Sequence, residues 1–472
     1  MFIFFSKKFT LIIFFLVIVS LSAQHKGRGE RDESFPSPVS IETHLIPSDS
    51  LFICFISFKI AFRNLVFLKE NGHFKSKISL AVEVEVNDEV IDRVIKKSNA
   101  FVEDYELTKS NNLFLQDITS ITLPKGNYIL NPFVTIENTE IEAKLRPLRI
   151  NADSANLSYP IVVYKDKIDS NCIDVYSLSN SENSIPYSLD AYDLLVPVFD
   201  MSINTIEVDI FQKGKSFFKE NLTNYDRLNI KLGAYNGNII IDSDDNYPEA
   251  KLFRIKYVNK NLDEGMSKVI VKYGTISGEY EIPILWNNKP KSLRKPESAI
   301  EMLKLIGKNA DADSLLDEPD ENYYPALSDY WKKYDHDTSS AFNEVFAEFY
   351  SRIDYANEHF KSLNGVPGAK SDRGVIYLKY GQPDSTERTY NEKYNIIEIW
   401  VYKSLGKKIF FSDETTKQLA NETGADFMLI GIINLVFDTY ESKQEKFYQV
   451  NLEMIALETN TKVWIGNNQI KK

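Results

Sequence analysis

Three charged residues near the C-terminal end, Asp372, Arg373 and Asp384, have the types and spacing for acid–base chemistry. Two carboxylates flanking one element serve as general acid and general base when they lie the right distance apart. The Asp372-Arg373-Gly374 turn is also explained by an ion pair that orients a loop, and that reading carries more weight. No serine or cysteine nucleophile stands beside a histidine; His336 and His359 are the local histidines. We therefore assign no catalytic residue and keep a hydrolase using Asp372 and Asp384 as an alternative. The acidic run Asp242-Ser243-Asp244-Asp245-Asn246 lacks the glycine and the closing glutamate of a calcium loop, and reads as a solvated turn. No metal site and no cofactor is expected. Cys54 and Cys172 are expected to be unpaired buried thiols in different domains.

The stretch Ser371–Asp384 reads as a turn, a strand over 375–380, and a closing Gly381-Gln382-Pro383-Asp384 turn. Before it, an apolar stripe of Phe342, Val345, Phe346, Phe349, Ile353, Ala356 and Phe360 predicts a helix over 340–360, capped by Asp337, Thr338 or Ser339. Pro296-Glu297 opens another helix with Ile300, Leu303 and Ile306 on one face, ended by Gly307. The acidic stretch Asp311–Glu321 reads as an exposed loop. After Asp413 the pattern is α-β-β-β: a helix over Thr415–Thr423, then strands containing Phe427–Ile433, Phe447–Ile455 and Lys462–Ile465. These are expected to extend a sheet formed by Val375–Tyr380, Ile397–Tyr402 and Lys408–Phe411, giving one composite α+β domain.

The first half alternates with period two. Ile78, Leu80, Val82, Val84 and Val86 form one face of a strand that ends at Asn87-Asp88. Tyr128, just after Pro124-Lys125-Gly126, fits either a corner tyrosine or a core aromatic. Between Leu157 and Trp286, eight short strands are punctuated by Asn, Asp and Gly. The fold class is therefore multidomain: two antiparallel β-sandwich-like domains, a helical connector and a C-terminal α+β domain. The expected boundaries are 39–152, 153–290, 291–413 and 414–472, after a signal peptide at 1–23 and a disordered leader at 24–38. The signal peptide rests on Lys7 and Lys8, the apolar run Leu11–Val19, and the small residues Ser20, Ser22 and Ala23. No other stretch is long and apolar enough for a stable membrane span. The 472 residues carry a net charge of -12, which argues against nucleic acid and against anionic lipid as partners.

Several separated pieces then recur in one order. They are Trp286-Asn287-Asn288 with Pro290; Tyr330-Trp331-Lys332-Lys333; Tyr350, Arg352, Tyr355, Ala356, Asn357 and Phe360; Ser371-Asp372-Arg373-Gly374 with Ile376-Tyr377; Tyr380-Gly381 with Pro383-Asp384; and Glu398, Trp400 and Tyr402. Over roughly 280–413 this series resembles the GWxTD domain family. The family motif maps onto Gly368, Ser371, Asp372, Arg373, Gly374, Tyr377, Gly381, Pro383, Asp384 and Trp400. Ala369 stands where the family has tryptophan, and Ser371 where it has threonine. The resemblance implies an extracytoplasmic protein with a signal peptide and β-rich N-terminal domains, located in the periplasm or cell envelope.

The tail resembles something else. Gly424-Ala425-Asp426-Phe427-Met428-Leu429-Ile430-Gly431, Phe447-Tyr448-Gln449-Val450, Glu458-Thr459 and Val463-Trp464 are similar to the C-terminal half of the LpoB family. That family's lipid-bearing cysteine and its N-terminal half have no counterpart here. The resemblance implies a protein partner, a penicillin-binding protein, with Tyr448 and Trp464 as candidate partner-binding residues; core packing is the competing role for both. The expected function is a non-catalytic, protein-binding envelope component. A structural surface or secretion-associated component is the other alternative.

Overall fold

A computed structural model describes residues 39–137, 142–153, 158–164, 168–170, 173–361, 367–390, 396–412, 427–440, 443–456 and 461–471, of which 168–170, 173–175, 390, 396, 412 and the last three segments are described by their backbone alone. The first region holds β1 (Val39–Ser48), β2 (Leu51–Ala61), β3 (Leu68–Glu70), β4 (His73–Val86), β5 (Glu89–Val102), β6 (Phe114–Pro124), β7 (Gly126–Ile136), β8 (Glu142–Lys144) and β9 (Leu148–Ala152). They form two antiparallel sheets. One has the order β1-β2-β6. The other runs β3-β4-β7-β8, with β5 on β4 and β9 on β7. The alternation in β4 does what its period requires: Ile78, Leu80, Val82 and Val84 all point into the core between the sheets, with Ile56, Phe58 and Leu130. Asn87 and Asp88 both take positive φ, 52° and 66°, which makes the two-residue turn that joins β4 to β5. Tyr128 is both of its candidates at once. Its ring is buried, and its hydroxyl donates to the Pro124 carbonyl at 2.9 Å across the turn into β7.

Cys54 is fully buried in β2 and free; Cys172 lies outside the described residues. Burial pushes the Cys54 thiol up to about 12. The neutral thiol is thus favoured by the fold. This contribution is complete below the ordinary thiol value and is lost as pH rises toward about 12. In a Cys172→Ser background, Cys54 is expected to react with iodoacetamide at pH 8 only at the rate of unfolding. Alkylation at a free-thiol rate under native conditions would contradict this burial.

The second region contains β10 (Ile161–Tyr164), β11 (Ile168–Ser170), β12 (Ile173–Ser177), β13 (Ile185–Pro186), β14 (Tyr192–Val198), β15 (Ile206–Gln212), β16 (Lys215–Leu222), β17 (Tyr225–Tyr235), β18 (Asn238–Ser243), β19 (Glu249–Ile255), β20 (Gly265–Tyr273) and β21 (Ile276–Leu285). A seven-stranded sheet, β10-β14-β19-β17-β18-β12-β11, faces a five-stranded one, β13-β21-β20-β15-β16. The Asp242–Asn246 run is a turn. Asp244 accepts from Lys231 Nζ at 2.8 Å and from the Asn246 N–H at 3.0 Å, and these bonds hold its carboxyl down at about 2.

The two β regions share a core. Ile46 and Phe55 of the first pack with Ile161, Val163, Leu195, Leu232 and Ile241 of the second. Beside this apolar patch runs a buried polar seam. Glu42, 1% exposed, accepts from the N–H groups of Ser181 at 2.9 Å and Asn183 at 3.2 Å, and faces His44 Nε2 at 2.8 Å. Asn180 bonds Ser57 Oγ, the Phe58 carbonyl and Gln116.

The helices are α1 (Pro296–Glu301), α2 (Asn309–Leu316), α3 (Tyr323–Lys332), α4 (Glu344–His359) and α5 (Asp372–Tyr380). Gly307, at φ 82°, closes the 3-10 turn after α1. Part of the expected 311–321 loop is α2, which buries Ala312 beneath its acidic face. α4 starts later than its apolar stripe. Asp337 is spent on a local turn with Ser339, and Asn343 is the cap, accepting from the Phe346 N–H at 2.9 Å. Trp286, Trp331, Phe346, Phe349 and Tyr350 fill this core, and Tyr350 donates to the Ala299 carbonyl at 2.8 Å. Among the described residues no helix is long and apolar enough to cross a membrane.

Two further sheets follow. β22 (Ser385–Tyr390), β23 (Ile396–Tyr402) and β24 (Lys407–Ser412) make one antiparallel meander; β25 (Phe427–Tyr440), β26 (Lys443–Ala456) and β27 (Thr461–Lys471) make another. The expected composite sheet is corrected on two counts: 375–380 is helical, and no strand of the second meander pairs with the first among the described residues. The expected helix over Thr415–Thr423 lies outside them.

Candidate functional site

The motif residues converge where α4, α5 and the β22-β23-β24 sheet meet. α5 begins at Ser371, whose hydroxyl accepts from the Gly374 N–H at 3.0 Å and donates to the Gly368 carbonyl at 2.7 Å. A hydroxyl is all this cap needs, so serine serves in threonine's place. Asp372 follows in the first turn, exposed, where its charge complements the helix dipole. Val375 and Ile376 gave the segment its strand-like look. In fact Gly374, Tyr377 and Leu378 share the buried face, at helical spacing. Gly381 ends the helix at φ 73°, with the Arg352 guanidinium 3.0 Å from where a Cβ would sit.

Two glycines set how closely these pieces pack. A Cβ on Gly368 would fall 1.9 Å from the Ala356 carbonyl oxygen of α4. One on Gly374 would fall 2.0 Å from the Gly368 carbonyl oxygen. The 3-10 turn Gly368–Lys370 is thus clamped between two helix backbones. Ala369, fully buried, donates its N–H to Asn357 Oδ1 at 3.0 Å.

Arg373 pairs with neither aspartate. It meets Glu398 Oε2 at 3.1 Å, while Trp400 Nε1 donates to Glu398 Oε1 at 2.8 Å. One half-buried carboxylate therefore ties α5 to the central strand β23. Arg373 also stacks over Phe411, and Trp400, Phe411, Phe360 and Tyr377 enclose a small aromatic core. Tyr377 stacks on Tyr355 at 4.6 Å, and Tyr355 on His359 at 3.9 Å. Burial, with Tyr355 and Glu348 nearby, pushes the Tyr377 hydroxyl up to about 12. Pro383 sits in the α5–β22 connection. Asp384 after it donates its N–H to the Val401 carbonyl at 2.9 Å and accepts the Lys403 N–H at 2.6 Å. Tyr402 closes the same corner through Gly381 at 3.0 Å.

Asp384 thus has its carboxylate engaged in a turn, and Asp372 stands exposed at a helix start. The two share no hydrogen-bond partner among the described residues. What the arrangement does chemically is hold a rigid joint between two helices and a sheet. Glu398, Asn357 and Arg352 are structural members of this joint that the site reading omitted. Their signal was in the sequence, in the Arg352–Asn357 and Glu398–Trp400 pieces of the ordered series. Among the described residues no group of His, Cys, Asp and Glu is placed to hold a metal.

Tyr448 and Trp464 lie in the last sheet. Tyr448 is in its central strand, opposite Leu435 and Ile470; Trp464 is in the edge strand β27, opposite Met454.

No curated protein matches the chain. The GWxTD domain model matches residues 274–430, taking in α1 to α5 and the β22-β23-β24 sheet. The model of the peptidoglycan-synthase activator LpoB matches residues 402–470, so the two matches overlap over 402–430, a range that takes in β24. The chain is therefore similar to the GWxTD domain over 274–430 and to the LpoB activator over 402–470.

Proposed function

We propose that this chain is a non-catalytic, extracytoplasmic component of the cell envelope that binds a peptidoglycan synthase, a penicillin-binding protein, through its LpoB-like end. The observation that carries this reading is the match of 402–470 to a peptidoglycan-synthase activator. The GWxTD joint supports it. Ser371, Arg373, Gly374, Tyr377, Gly381, Asp384 and Trp400 each serve to hold elements together, and a rigid mount is what a presented binding segment needs. In this reading Tyr448, at the centre of the last sheet, and Trp464, on its edge, contribute to the contact.

The test compares residues 24–472 with residues 24–413 for binding to a purified bifunctional penicillin-binding protein, with circular dichroism to verify that both fold. The longer chain is expected to bind, and the shorter one to lose at least about tenfold in affinity. Equal binding by both would make the tail a passenger and move the function to the GWxTD module. A hydrolase would instead show an activity that Asp372→Asn destroys without unfolding the protein.

A further inference from the structure

A cleft of about 390 Å³ opens where the first β region meets the second. One wall is β9, which contributes Leu148, Arg149, Ile150 and Asn151. Four consecutive residues line it. A strand turns alternate side chains to opposite faces, so an unbroken run means the cleft follows the strand's edge and not one of its faces. That edge is open: β9 pairs with β7 and with no other strand among the described residues.

On the opposite wall, β1, the outward groups of Thr43 and the Leu45 carbonyl are already engaged. Asn183 accepts the Thr43 N–H at 3.4 Å and donates to the Thr43 carbonyl at 3.3 Å, and Ser158 Oγ donates to the Leu45 carbonyl at 2.9 Å. The continuous open edge in the cleft is therefore that of β9. Its end is aromatic and fixed. Tyr159 and Tyr280 meet edge to face at 5.4 Å, and Tyr159 is anchored by its hydroxyl to the Glu281 carbonyl at 2.7 Å. Its floor, Phe52 and Ile150, is apolar.

Charge decides what fits. The arginines Arg254, Arg227, Arg373 and Arg352 each pair with a carboxylate. Arg149 has no side-chain partner among the described residues, and neither does Asn151 beside it. In a chain of net charge -12, an unspent guanidinium and carboxamide along an open strand edge make a cradle for a carboxylate.

We propose that β9 is an acceptor edge for an extended, acidic peptide of a partner protein, which adds to it as a further strand, places a carboxylate on Arg149, and lays an apolar side chain against Tyr159 and Tyr280. Main-chain bonds supply the affinity, and Arg149 with the aromatic end supplies the selectivity. This site is remote in sequence from the LpoB-like segment and does not depend on it.

The experiment immobilises the full chain and offers two pools of six-residue peptides, one with Glu fixed at a single position and one with Lys fixed there, the rest randomised. Retained peptides are read by mass spectrometry. The Glu pool is expected to be enriched, and Arg149→Glu, with an unchanged melting temperature, to reverse the preference toward the Lys pool. The best retained peptide, N-methylated at alternate residues, is expected to bind about tenfold more weakly, because it cannot complete the ladder. Equal retention of both pools, or a Glu preference that survives Arg149→Glu, overturns the proposal. So does a methylated peptide that binds as well as its parent, or free glutamate that competes as well as the peptide, since either reduces the cleft to a carboxylate pocket.

Discussion

Gly374→Ala is expected to cost about 3 kcal/mol or more and to leave the joint between α4, α5 and the β22-β23-β24 sheet open to proteolysis. The added methyl would lie 2.0 Å from the Gly368 carbonyl oxygen and 2.8 Å from the Ala369 backbone. Those atoms are main chain, in a turn itself pressed on α4 through Gly368, so no side chain can swing aside. Relief requires α5 to move away from α4. That movement would pull the Ser371 cap off its partners and draw Arg373 from Glu398. Gly368→Ala is expected to behave alike, its methyl falling 1.9 Å from the Ala356 carbonyl oxygen. Gly233→Ala is the control, since a Cβ there meets nothing within 4 Å. Denaturant unfolding followed by tryptophan fluorescence, with limited proteolysis of the same samples, reads the difference. If Gly374→Ala unfolds with Gly233→Ala and the parent, the backbone contact is not what holds the joint.

Glu42→Ala is the second large effect, about 3–5 kcal/mol. The carboxylate is almost fully buried where β1 meets the second β region, and it accepts two backbone N–H groups from the Ser181–Asn183 turn. Alanine leaves both donors buried without an acceptor. It also removes the negative charge that opposes the burial-driven lowering of the Lys59 ammonium pKa, and the partner that faces His44 at 2.8 Å. Glu42→Gln keeps an acceptor oxygen and is expected to lose much less. Hydrogen exchange locates the damage. The amides of Ser181 and Asn183 should lose protection in Glu42→Ala while those of β4 keep theirs. Equal loss throughout would mean the seam does not act as a separate latch between the two regions.

Both effects lie in contacts that no local pattern announces, and this divides what could be read along the chain from what could not. Periodicity reports how one element buries one face. The alternation in β4, the stripe of α4 and the paired turn residues Asn87 and Asp88 were legible because each is written within a few consecutive residues. The corner bond of Tyr128 was legible as one of two options, since its partner Pro124 is only four residues away. α5 was misread because Val375 and Ile376 favour strands, while its helix depends on the Ser371 cap and on a glycine whose purpose is contact with another backbone. The composite sheet failed for a related reason: which strand pairs with which is decided by distant neighbours, and β25 found β26 rather than β24.

Local pattern and ordered motif in the chain were enough for the β-rich, multidomain class, the helices that begin at Pro296 and run along the 342–360 stripe, and the two family resemblances. It took the folded chain to bring Arg373 to Glu398 instead of an aspartate, to close a turn with Asp384, to bond Glu42 to a loop about 140 residues away, and to leave the β9 edge open to a cleft. Buried polar groups must find partners wherever the fold brings them, and sequence distance does not limit that search.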